Sequence, residues 1–150
     1  MIEIRTILVP TDFSDCAAVA VRYAKELAEK FGSAIHLLHV IPDSAFVLPE
    51  AVVPPVMQVP DLTDLKAQTD ASLQAAVAEF GLANLKPACE SRLGSPADEI
   101  VTAAKDANAD MIVIGTHGRG AIAHFLLGSV VDKVVRHAHC PVLTVRKPAK

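Results

Sequence analysis

Asp110-Met111-Ile112-Val113-Ile114-Gly115-Thr116-His117-Gly118-Arg119-Gly120 runs from an acid through four apolar residues into a loop punctuated by glycine. Met111 to Ile114 shows no alternation of polar and apolar residues, so the strand it predicts is covered on both faces. Such strands belong to parallel sheets flanked by helices, and the neighbouring chain supplies the helices. Upstream, Gly94-Ser95-Pro96-Ala97-Asp98 reads as a helix start, with Ser95 as cap, Pro96 in the first turn and Asp98 reaching back as in a capping box. Ile100, Ala103, Ala104 and Ala107 form the buried face of that helix. Downstream, Val130 to Ala138 reads as a short helix and Pro141-Val142-Leu143-Thr144-Val145 as a last strand.

Toward the chain start the alternation continues. Ile4 to Val9 is an apolar, β-branched strand ended by Pro10. Ser14 to Phe31 has helical spacing, with Ala17, Ala20, Val21, Ala24, Leu27, Ala28 and Phe31 on one face, Ser14 as cap and Gly32 as stop. Ala34 to Ile41 is a second strand closed by Pro42. Asp61 to Phe80 is a helix with Leu62, Leu65, Leu73, Ala76, Val77 and Phe80 on one side, and Leu85 to Leu93 a third strand weakened by Pro87. The stretch Pro42 to Pro60 holds five prolines among apolar residues and reads as a long loop, either a variable surface segment or a lid or contact surface. The order β-α-β-α-β-α-β-α-β predicts an α/β fold: one open, doubly wound, parallel sheet with helices on both faces. Residues 1–150 read as a single domain without repeats.

Composition narrows the function. Apolar residues make up 51% and charged residues 21% of the 150, which is globular rather than disordered. No apolar run reaches the roughly 18 residues that span a bilayer, and the start lacks the apolar core of a secretory leader. A cytoplasmic protein without a membrane partner is expected. Net charge is −3 with both signs interspersed, and there is no Trp and one Tyr. No nucleic-acid partner is expected, because neither a basic stripe nor stacking platforms are present. Cys16, Cys89 and Cys140 are odd in number and widely spaced, so reduced, buried thiols are expected.

Ligands of open α/β sheets bind at the carboxyl ends of strands, where strand order reverses. Two strand ends are chemically loaded: Pro10-Thr11-Asp12 and Gly115-Thr116-His117-Gly118-Arg119-Gly120. The second leads to Gly128-Ser129 at the mouth of the last helix. Glycines at 115, 118 and 128 allow close backbone approach, Ser129 offers a hydroxyl and an N–H, and the helix adds its dipole. That is a cradle for phosphate, unless the glycines serve only turns and a cap. No Gly-x-x-x-x-Gly-Lys-Ser/Thr is present. Gly118-Arg119-Gly120-Ala121-Ile122-Ala123 matches a dinucleotide fingerprint in letters but follows the fourth strand, so it is read as a chance match.

At this point the sequence resembles a known family. Gly115-x2-Gly118-x9-Gly128-Ser129 is similar to the nucleotide motif of universal stress proteins in both spacings. Ile7 to Ser14, Leu37-Leu38-His39-Val40, Gly94 to Ile100 and Pro141 to Val145 resemble further segments of that family. The resemblance implies strand order 3-2-1-4-5 and a homodimer through the last strand, Pro141 to Val145. It implies bound ATP, with Mg or Mn held mainly by the phosphates. Carried over by position, Pro10, Thr11, Asp12 and Val40 would line the adenine and ribose end. Gly115, His117, Gly118, Arg119, Gly128, Ser129 and Val130 would lie along the phosphates. Val131 stands where ATP-binding members often carry Ser or Thr, which implies one missing hydroxyl contact.

Other residues invite weaker readings. Asp12 can be a metal carboxylate, a helix cap or a ligand of the base or ribose. His137-Ala138-His139-Cys140 has too few converging ligands for zinc. His36 and His39 read as packed or edge residues. Three functions stay open: a dimeric ATP-binding regulatory module of the stress response, a slow ATPase or phosphotransferase with His117 as its only base near the phosphates, and an interaction protein of the same fold with an empty cleft.

Overall fold

The computed structural model describes residues 1–46, 61–117 and 127–148. Its elements run β1 Thr6–Pro10, α1 Asp15–Phe31, β2 Ala34–Pro42, α2 Leu62–Glu79, β3 Ala88–Gly94, α3 Pro96–Asp106, β4 Met111–Gly115, α4 Ser129–His137 and β5 Val142–Val145. All pairings are parallel, and the strand order is β3-β2-β1-β4-β5. The expected doubly wound α/β sheet is therefore present, and β1 lies against β4, with Leu8 opposite Ile112.

Alternate residues of the central strands point to opposite faces and build two cores. Ile7, Val9, Leu37 and Val113 pack with Ala20, Val21 and Ala24 of α1 and Leu73 and Ala76 of α2. Leu8, Leu38, Ile112 and Ile114 pack with Ile100 and Ala103 of α3 and Val131 and Val134 of α4. Ile7, Leu8 and Ile112 are wholly buried, and each such side chain contributes roughly 1.5–3 kcal/mol.

Local chemistry fixes the ends. Ser14 caps α1 by accepting the Ala17 N–H, and Gly32 closes it at φ +70°. Several expectations need correction. Phe31 is half exposed, because it is the last residue of α1, beyond the reach of the sheet. Leu62 is likewise exposed in the first turn of α2. The third strand begins at Ala88, not Leu85. Residues Ala83–Leu85 form a 3-10 turn, Lys86 takes φ +48°, and Pro87 has no N–H for a ladder. The second strand extends through Pro42, which pairs with Gly94, and a 3-10 turn, Asp43–Phe46, follows it; the rest of the proline-rich stretch, 47–60, lies outside the described residues. Ser95 makes no side-chain cap bond. Asp98 pairs with Lys133 of α4, Oδ1 to Nζ 2.8 Å, and also accepts a hydrogen bond from Ser95. The last helix starts at Ser129, one residue early, and Ala138 is its C-cap. Cys16 is buried, whereas Cys89 and Cys140 are partly buried; all three are free thiols. Burial pushes the Cys89 and Cys140 thiols up, helped by Asp70 and Asp110 respectively.

Candidate functional site

The pairing of β1 with β4 sets their carboxyl ends side by side, and a cleft of about 770 Å3 opens there. Pro10, Thr11, Asp12, Val40, Gly115, His117, Gly128, Ser129, Val130 and Val131 all line it. Gly118 and Arg119 lie outside the described residues.

One wall is the turn after β1. Its backbone and side chains satisfy one another. The Thr11 N–H donates to Leu38 O at 2.8 Å, the Phe13 N–H to Thr11 Oγ1 at 3.0 Å and the Ser14 N–H to Asp12 Oδ1 at 3.0 Å. Such side-chain-to-backbone bonds are the local competitor to helix that Thr and Asp supply. Asp12 thus serves the turn into α1. Phe13 sits at φ +61°, a region that L residues rarely occupy.

The opposite wall is the entry to α4. Thr116 N–H donates to Val145 O at 2.9 Å, and Gly128 N–H donates back to Thr116 O at 3.1 Å, which closes the two ends of the glycine loop against each other. The first intrahelical bond of α4 is Asp132 N–H to Gly128 O, 3.0 Å. The N–H groups of Ser129, Val130 and Val131 precede it and have no helical acceptor. Its N-cap, Gly128, has no side chain, and none of the described side chains is seen to cap this helix. Beside it His117 Nδ1 lies 2.9 Å from Thr116 Oγ1, while Nε2 is buried with no hydrogen-bond partner among the described residues. A buried, unpaired ring nitrogen beside open backbone donors favours an anion or a polar ligand group.

Gly115 has a packing reason besides its place in the cleft. A Cβ there would lie 2.9 Å from Cys16 O and 3.0 Å from Cys16 C and Sγ. The missing side chain lets α1 approach β4. Val131 is buried in the α3–α4 core and also lines the cleft, where it offers methyl groups and no hydroxyl.

Sequence reasoning missed Phe13, Ala17, Leu38, His39, Pro42, Pro96, Ile100 and Ile114, which also line the cleft. Most are core residues whose exposed edge becomes the floor. His39 differs. It sits near the carboxyl end of β2, the position where ligands of such sheets gather, and that was the available signal. His36, by contrast, is a packed residue of an interior strand, not an edge residue, with Nε2 2.8 Å from Glu90 Oε2 on β3.

The other described histidines, His137 and His139, are not gathered into a metal site: among the described residues no three His, Cys, Asp or Glu side chains could hold an ion together. The described helices include none long and apolar enough to cross a membrane.

Comparison with known proteins agrees with this fold. The family profile described as "Universal stress protein family" matches residues 3–146. Universal stress protein MJ0531 of Methanocaldococcus jannaschii is 34% identical over 151 residues, covering 97% of this chain and 84% of that protein. Universal stress protein G of Escherichia coli O157:H7 is 35% identical over 144 residues, covering 95% and 99%. Among solved structures, protein MJ0577 superposes with TM-score 0.74 at 27% identity, covering 98% of this chain and 99% of that one. A universal stress protein in complex with cAMP gives TM-score 0.67 at 26% identity, covering 97% and 99%. One from Archaeoglobus fulgidus in complex with dAMP gives 0.60 at 25%, also covering 97% and 99%.

Proposed function

Because this chain belongs to the universal stress protein family, we propose that its cleft holds ATP and that the protein is a dimeric, cytoplasmic, nucleotide-responsive module. The observation that carries the reading is that one cleft is lined both by the start of α4 and by His117, and that among the described residues no side chain caps that start and no group pairs with His117 Nε2. Open N–H donors and a helix dipole favour the negative charge of phosphate. In this reading the phosphates lie along Gly115, His117, Gly118, Arg119, Gly128, Ser129, Val130 and Val131. The base and ribose lie against Pro10, Thr11, Asp12 and Val40. Two structural relatives in complex with cAMP and dAMP support an adenine nucleotide as the ligand class. A Mg or Mn ion, when it accompanies ATP, is carried by the phosphates. Turnover stays below about 1 per second, since His117 is the one candidate base near the phosphates among the described residues.

The test is calorimetric titration of ATP into the parent and Ser129→Glu. Ser129 is exposed and is the first residue of α4. A carboxylate there favours the helix dipole but repels phosphate. The expected result is unchanged melting temperature and binding weakened by at least about tenfold, the loss of one charge-assisted bond. Equal affinity in the two proteins rejects the placement, and no nucleotide released from, or bound by, the parent rejects the reading. The dimer would form through β5, which is a sheet edge with Leu143 exposed. Light scattering should give a dimer for the parent and a monomer for Leu143→Asp.

A further inference from the structure

Resting on the nucleotide reading of the cleft, we infer that His39 is a positioning residue: it holds the Thr11–Phe13 turn in the shape that receives the nucleoside, and so sets affinity through the turn. Three observations converge on this side chain. Its Nδ1 lies 2.7 Å from Thr11 O, a carbonyl that can only accept. Nδ1 therefore carries the proton in the neutral ring, as it does in the charged one. Its ring lies against the Phe13 ring, centroids 4.8 Å apart and planes tilted by 32°. Phe13 is the turn's left-handed residue, φ +61°. One imidazole thus grips the first residue of the turn by a hydrogen bond and the third by ring contact.

The turn needs such a grip. A non-glycine residue at positive φ persists only where its surroundings over-determine it. The local bonds from Phe13 N–H and Ser14 N–H tie the turn to itself, and the Thr11 N–H ties it to Leu38 of β2. His39 adds a second tie to β2, this time from a side chain and on the carbonyl side of the same residue. Without it, Thr11 O loses its side-chain donor and Phe13 loses its ring neighbour. Thr11 and Asp12 would then be presented to the cleft in more than one conformation, and a ligand would have to order them on binding.

Two amide substitutions separate positioning from direct contact. In His39→Asn the side-chain amide stands where Nδ1 was, so the bond to Thr11 O is kept. In His39→Gln it stands where Nε2 was, so that bond is lost. Calorimetry with ATP and thermal melting are run on the parent and both variants. The expected result is affinity within about threefold of the parent for Asn and at least about tenfold weaker for Gln, with melting temperatures that do not separate the two. Amide hydrogen exchange at Phe13 and Ser14 should follow the same order, protected in Asn and faster in Gln. Parent-like affinity in Gln overturns the inference, as does equal weakening in both variants or affinity loss that tracks melting temperature. If the parent binds no adenine nucleotide, the cleft reading fails. The exchange measurement then still decides the turn, and equal protection in Asn and Gln overturns the role of His39 there too.

Discussion

The two strand-end turns that face each other across the cleft are built on opposite principles. After β1, Thr11 and Asp12 spend their side chains on the turn's own backbone, Ser14 caps the helix that follows, and His39 pairs with the Thr11 carbonyl. After β4, the described backbone makes two closing bonds, at Thr116 and Gly128, and then leaves the first turn of α4 uncapped and His117 Nε2 unpaired. One wall is tied to itself and to β2; the other, among the described residues, leaves the first N–H groups of α4 without helical acceptors. In the proposed nucleotide reading this divides shape from affinity: the β1 turn offers a fixed surface, and the described β4 side offers donors still open to a ligand, which a protein retains at some cost in stability.

The largest effect expected from breaking this contrast is at Gly115, where both walls meet. Gly115→Ala drives a Cβ into the backbone of Cys16. Backbone cannot rotate away, so the cost should approach 3 kcal/mol, the upper end of the usual overpacking range. Chemical denaturation should show the loss, and ATP affinity should fall with it because α1 and the β1 turn shift together. A variant as stable as the parent would show that α1 yields freely.

Next in size is His117→Asn. The amide keeps a group at the Nδ1 position for Thr116 Oγ1 and removes Nε2 with the far edge of the ring. Binding of ATP should weaken by roughly 1.5 kcal/mol, the low end for a bond to a charged group. Stability should hold or rise, because a buried unpaired nitrogen is gone. The same substitution at His39 is expected to leave affinity nearly intact, so the pair of variants is a direct reading of the two walls. Parallel behaviour at 39 and 117 would erase the distinction between them.

How far the sequence carried this depends on what each residue's signal encodes. The apolar run Met111–Ile114 and the capped helix starts made the sheet and its alternation legible, because burial on two faces and caps are local patterns. The site's polar members were legible for the same reason: glycine spacing and strand-end residues follow from chain geometry. What was hidden depends on contacts between distant segments. His39 looked like a packed strand residue because its partners, Thr11 O and Phe13, lie 28 and 26 positions away. Gly115 read as a ligand-approach glycine because the crowding by Cys16 exists only once α1 is packed. Ser95 and Asp98 spelled a capping box; Ser95 does bond Asp98, but the cap bond is absent and the larger partner of Asp98 is Lys133, remote in sequence.

A smaller effect is expected from Thr11→Val, which keeps the β-branched shape and removes the acceptor of the Phe13 N–H. One neutral hydrogen bond of roughly 1 kcal/mol is lost. Chemical denaturation should show that decrease, and amide exchange at Phe13 should quicken while Thr116 and Gly128 stay as they were. Faster exchange at Thr116 and Gly128 as well would mean that the walls are one cooperative unit rather than two.

The smallest expected effect concerns the ion pair that ties α3 to α4 beside the open wall. Lys133 Nζ lies 2.8 Å from Asp98 Oδ1. The Lys133 hydrogen bond, with a second from Ser95, holds the Asp98 carboxyl below its ordinary range. The sign follows from linkage. A carboxylate whose pKa is lower folded than unfolded adds stability above the unfolded value, near 3.9 for Asp, and that stability drains away as pH falls through the lower folded value. The pair is solvent-exposed, with both side chains roughly half accessible, so its contribution is modest and weakened by salt. In Lys133→Met the Asp98 carboxyl should titrate closer to its ordinary range, followed by NMR, with Ser95 still holding part of the shift. Melting temperature measured from neutral pH downward should start slightly lower than in the parent and fall less between neutrality and the acid limb, so that the two curves converge once Asp98 is protonated. Raising salt at neutral pH should narrow the gap in the same direction. An unchanged Asp98 titration in Lys133→Met would show that Ser95 and the first turn of α3, rather than the neighbouring helix, set the charge beside the open wall.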